Sequence, residues 1–94
     1  MTCQTILETA ARLSGVTVAD IQGNKRSYGT INYARKAAAL LMSRFLDMEP
    51  KDISRQLNRH RTNAYHTLRD AEDLLFTNRV FKRLYRQCRE ALGV

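Results

Sequence analysis

The sequence predicts an all-α domain, a compact arrangement of about five to six helices in which residues 1–94 form one unit. Three observations predict it. The stretch 30–46 is apolar around most of a helical circumference, as a helix at the centre of a domain must be. The stretch 50–75 divides into a short and a longer segment, each with an apolar stripe at helical spacing, joined by a tight turn. The stretch 78–92 sets one apolar face against one basic face. Ninety-four residues suffice for one modest core and are too few for two.

Along the chain, Thr5 to Leu13 reads as a first helix with Ile6, Ala10 and Leu13 on one side, ended by Ser14-Gly15. Thr17-Val-Ala-Asp20 fits a capping box with Asp in place of the commoner Glu, opening a short helix that turns Val18 and Ile21 inward. Gly23 is expected to stop that helix in the left-handed conformation. A basic loop follows at 24–29, with Lys25, Arg26, Ser27 and Tyr28 close to Gly23 and Gly29. Thr30 is expected to cap the long helix, whose main stripe is Ile31, Ala34, Ala38, Leu41 and Phe45 and which Ala37, Leu40 and Met42 widen. The break Asp47-Met-Glu-Pro50 re-aims the chain.

Pro50 suits the first position of the next helix, where its missing N–H is not needed. Ile53 and Leu57 form that helix's buried stripe, Ser54 is small where two helices approach, and Asn58 suits a turn requiring positive φ. In the longer helix Ala64, Leu68, Ala71 and Leu75 recur at spacings of four, three and four. Thr62, His66 and Arg69 then face the opposite way, flanked by Asn63 and Tyr65. This is the helix-turn-helix plan, which lays its second helix in the major groove of DNA, and polar, basic side chains at the start of that helix are what base-edge reading requires. Thr77 or Asn78 can cap a last helix with Phe81, Leu84, Tyr85, Cys88 and Leu92 on its docking face and Arg79, Lys82, Arg83, Arg86 and Arg89 outside.

Charge points the same way. Sixteen Lys plus Arg against nine Asp plus Glu give +7, and only four of the sixteen are lysines, Lys25, Lys36, Lys51 and Lys82. Arginine suits planar, bidentate contact with phosphate or guanine. Basic surfaces also meet acidic proteins or anionic lipids. No run of about eighteen apolar residues is present and the N-terminus lacks a signal-peptide pattern, so a cytoplasmic protein with no membrane partner is expected. Cys3 and Cys88 read as two reduced thiols.

The order of a basic loop, a long buried helix, a helix-turn-helix and a following helix resembles the C-terminal DNA-binding domain (domain IV) of the bacterial replication initiator DnaA, in the Trp-repressor-like superfamily. The resemblance covers roughly residues 6 to 75. Val16-Thr-Val18-Ala-Asp20-Ile21 is similar to that family's hydrophobic-Asp-Leu segment, Lys25-Arg26-Ser27 to its basic loop, and Ala34-Arg35-Lys36-Ala-Ala to its Pro-Arg-Gln helix start. Arg59-His60-Arg61-Thr62-Asn63-Ala64-Tyr65-His66 resembles the signature Arg-Asp-His-Thr-Thr-Val-x-His. The resemblance implies that Arg26 enters the minor groove, with Lys25 and Ser27 beside it, and that His60, Arg61, Thr62 and Asn63 approach bases. It also implies that Arg35, Lys36, Arg59 and His66 serve the DNA backbone or support the reading helix. The family's Asp is here His60, its His is Arg61, its second Thr is Asn63, and the turn is one residue shorter. Arg favours guanine and Asn adenine, so the docking mode is compatible with a different preferred sequence.

The initiator's ATPase has no counterpart, because nothing fits Gly-x-x-x-x-Gly-Lys-Ser/Thr. With Met1 at its start, the chain is expected to be a stand-alone, bacterial or phage-encoded relative, nucleoid-associated, acting in replication or transcription as a monomer or weak dimer. Catalysis is not expected, since two histidines with no Ser-His-Asp or Cys-His constellation and no carboxylate pair supply little chemistry. His60 and His66, six apart, do not stack on one helix face, so no metal, cofactor or small-molecule ligand is expected. The competing function is a protein-interaction adaptor that keeps a helix-turn-helix shape and binds an acidic partner.

Overall fold

Each helix begins and ends where local chemistry dictates. The computed structural model describes residues 1–23, 29–58 and 61–94, with the backbone alone at 61–63. Helix α1 (Cys3–Ser14) starts earlier than its apolar pattern, because Thr2 Oγ1 accepts the Thr5 N–H at 3.1 Å. Gly15, at φ 72°, ends it, with the Gly15 and Val16 N–H groups donating to Arg12 and Ala11 carbonyls in a Schellman arrangement. The capping box of α2 (Val18–Gln22) forms as expected, with Thr17 and Asp20 exchanging two 3.0 Å bonds. Gly23 closes α2 for a different reason from the one expected. Its backbone is extended (φ −80°, ψ 163°), and a Cβ there would stand 3.0 Å from the Ala19 carbonyl oxygen, so close approach rather than left-handed geometry favours glycine.

Helix α3 (Thr30–Phe45) is the axis of the domain and packs against each of the other five described helices. Its N-cap is Gly29, at φ 51°, and Thr30 lies inside the helix instead of capping it. Ala34 and the run from Ala37 to Met42 are buried, and the small alanines let neighbouring helices approach from several sides. Asp47, at φ 53°, turns the chain into α4 (Pro50–Gln56), where Pro50 takes the first turn and Ile53, Ser54 and Leu57 are buried. Asn58 follows at φ 55°, the positive φ its residue type suggested.

Helix α5 (Arg61–Thr77) buries Ala64 and Ala71 and half-buries Leu68 and Leu75, the stripe its spacing predicts. Asn78, not Thr77, caps α6 (Arg79–Leu92), accepting the Phe81 N–H at 2.9 Å and donating to the Tyr33 hydroxyl at 2.8 Å. Tyr33 meets Phe81 edge-on near the start of both helices, and Arg89 lies over Phe45 at their other ends, so α6 runs alongside α3 in the same sense. Phe81, Leu84, Tyr85 and Cys88 dock and the basic face remains outside. The described residues contain no strand, and no helix among them is long and apolar enough to cross a membrane.

Candidate nucleic-acid interface

The site grows from two amide side chains, one at the end of α2 and one in the turn after α4. Gln22, the last residue of α2, donates from Nε2 to the Gln56 carbonyl at 2.7 Å. Asn58 donates from Nδ2 to the Gln22 carbonyl at 3.2 Å. These two bonds cross in opposite directions and join the C-terminal end of α2 to the C-terminal end of α4. Each also satisfies a carbonyl that a helix end leaves without an intrahelical partner. Asn58 therefore has two functions, turning the chain through positive φ and tying that turn to α2.

Arg35 secures the same junction from beneath. Its side chain leaves the first half of α3, is only 7 % exposed, and donates from Nε to the Ile21 carbonyl at 2.9 Å and from a terminal nitrogen to the Asp20 carbonyl at 3.3 Å. Of the two roles expected of it, a contact to the DNA backbone or a support, its bonds within the domain are those of a brace. A guanidinium buried among helix-end carbonyls is held by charge-assisted bonds and is withdrawn from an external phosphate. Residues 20–22, from which the segment 24–29 departs, are thus pinned to α3 by Arg35 and to α4 by the amide pair.

Lys36 and His66 have separate positions. Lys36 is largely covered and pairs with Asp70 at 3.8 Å, tying α3 to the middle of α5, which is a supporting role. His66 is exposed on α5, with Tyr65 and Arg69 exposed beside it, while Ala64 faces the core. Arg61, Thr62 and Asn63 occupy the first turn of α5, and their side chains lie outside the described residues. Lys25, Arg26, Ser27, Arg59 and His60 also lie outside the described residues.

The charge of α5 changes along its length. Arg61, His66 and Arg69 fall in its first half; exposed Asp70, Glu72 and Asp73 follow. Among the described residues this end of α5 presents exposed Tyr65, His66 and Arg69, ahead of the acidic stretch. No protein-family model matches the chain, and no curated protein matches it. Among the described residues no three His, Cys, Asp or Glu side chains converge as metal ligands.

Sequence reasoning missed Gln22 altogether. Its partner lies 34 residues away, and an amide before a glycine carries no local signal for such a contact. Cys88 is buried and its thiol is pushed up to about 11 by desolvation, against a smaller lowering by Arg12. It belongs to the docking face of α6 and is distant in role from the interface.

Proposed function

We propose that this chain is a sequence-reading, double-stranded DNA-binding domain in which α4, the turn at Asn58 and α5 act as a helix-turn-helix. The first turns of α5 enter the major groove and the basic loop 24–29 lies in the minor groove or on phosphates. The observation that carries this reading is the Gln22–Gln56 and Asn58–Gln22 clasp, which ties the departure point of the loop to the turn that leads into α5. Two elements that must grip adjoining grooves gain affinity when their relative position is set before binding, because the ordering cost is already met. The sign change along α5 and the overall charge of +7 support the same orientation.

In this reading Arg61, Thr62, Asn63 and His60 approach base edges, and His66 with Arg59 serves the backbone. Arg35 and Lys36 hold the frame. Descent from, or likeness to, the DNA-binding domain of the DnaA initiator, and a role in replication or transcription inside a bacterial cell, belong to the proposal.

Selection of bound duplexes from a random pool tests it. A defined preferred site is expected, on which Arg61→Ala loses roughly 1–3 kcal/mol while binding to unrelated duplexes changes much less. Equal losses on both would make Arg61 a phosphate contact and defeat the base-reading assignment. The adaptor reading draws on Phe76, which is 90 % exposed, and predicts no enriched duplex at all.

A further inference from the structure

We propose that the outer face of α6 is a second grip on the DNA backbone, with Arg79, Lys82 and Arg83 contacting phosphates alongside the loop 24–29. The inference rests on the duplex-binding reading above and extends it to a helix outside the helix-turn-helix.

The three cations fall within about 6 Å of helix axis at 1.5 Å per residue. All three are exposed, and among the described residues none forms an ion pair, with Glu72 and Asp73 of the preceding helix or with any other carboxylate. Their neighbours on the same helix are engaged: Arg86 pairs with Glu90 at 4.0 Å and Arg89 lies over the Phe45 ring. Exposed cations are ordinarily only solvated, so position must decide. Arg83 and Val80 line one groove with Gly29 and Thr30, where α3 begins, while Arg79 and Lys82 border the joint between α5 and α6 beside Phe76 and Thr77. The outer face of α6 therefore lies beside the start of α3. It is also rigid, because Phe81, Leu84, Tyr85 and Cys88 anchor the other side of the helix and Asn78 fixes its start. A duplex carries a negative charge about every 1.7 Å of its axis, so three cations on a fixed helix meet phosphates without base specificity.

The test is the salt dependence of binding to a duplex of arbitrary sequence, followed by fluorescence anisotropy from 50 to 200 mM salt. The triple variant Arg79→Gln, Lys82→Gln, Arg83→Gln is expected to bind more weakly, with a log–log slope shallower by roughly 2 to 3, near 0.9 for each lost phosphate contact. Arg44→Gln, which removes an exposed cation at the other end of α3, is expected to keep the parent slope. Single variants Lys82→Gln and Arg83→Gln, each shallower by about 0.9, carry the test if the triple variant fails to fold. Slopes equal to the parent's overturn the α6 assignment and leave the loop and α5 untouched. Failure of the parent chain to bind any duplex overturns the whole interface, this face included.

Discussion

Replacing Asn58 separates the two functions the structure gives it. At φ 55° an alanine bears a left-handed strain of about 1–2 kcal/mol, and a glycine bears none. Both lose the bond from Asn58 Nδ2 to the Gln22 carbonyl, worth about 1 kcal/mol at an exposed site. Glycine adds a chain-entropy cost of about 0.5–1 kcal/mol, which offsets part of its conformational advantage. Asn58→Ala should therefore destabilise the domain by about 2–3 kcal/mol and Asn58→Gly by about 1.5–2 kcal/mol. In a domain of this size each kcal/mol shifts Tm by about 4–8 °C, so the variants separate in thermal melts followed by far-UV circular dichroism. Urea titrations with unchanged m-values exclude an altered unfolded state. DNA affinity, measured where both variants are folded, should fall in both, because both have lost half of the clasp. Stability unaffected by either replacement would refute the claim that this residue fixes the turn. Full DNA affinity in both would refute the claim that the clasp organises the interface.

Four further outcomes are expected. Arg35→Met should cost roughly 2–3 kcal/mol of stability by removing charge-assisted bonds to the Ile21 and Asp20 carbonyls, and should change the salt slope of DNA binding little; a loss of slope without a loss of stability would return Arg35 to the DNA surface. Arg26→Ala should weaken binding and reduce the preference for A·T pairs beside the major-groove site, and an unchanged footprint would make the loop a plain surface turn. Cys88, with its thiol raised to about 11, should resist thiol reagents at pH 8 while partly exposed Cys3 reacts. Because the folded-state pKa is the higher one, its contribution to stability is complete below the unfolded value near 9 and is lost as pH rises towards 11; Cys88→Ala should remove that part of the alkaline destabilisation in pH-dependent melts.

Local patterns made most of the helices legible. Thr17 and Asp20 declare a helix start because both halves of a capping box lie within four residues, and the apolar wrapping of 30–46 announces a central helix before any partner is known. Asn58 was readable because few residues tolerate positive φ. The misreadings share a cause, which is dependence on distant backbone. Arg35, next to a lysine and close in sequence to a basic loop, suits a backbone contact or a support equally well, and only the approach of the α2 carbonyls 14 residues earlier marks it as a brace. Gly23 suits a left-handed end or a close approach equally well, and its extended backbone beside the Ala19 carbonyl decides for the second. Gln22 has no local pattern at all, since its partner is a carbonyl of α4. The basic residues at the start of α5 are legible in the sequence, while the clasp between α2 and the turn after α4 is not.

The central claim is that one junction presents the loop and the start of α5 together to a duplex. Titrating the isotopically labelled chain with its selected duplex, and following backbone amide resonances, tests it directly. The account predicts that the largest shifts cluster at residues 24–29 and 60–66, with smaller ones at 79–83, while α1 and the Asp70–Asp73 segment of α5 stay unmoved. Shifts centred on Phe76 or spread over α1, with residues 60–66 silent, would contradict it.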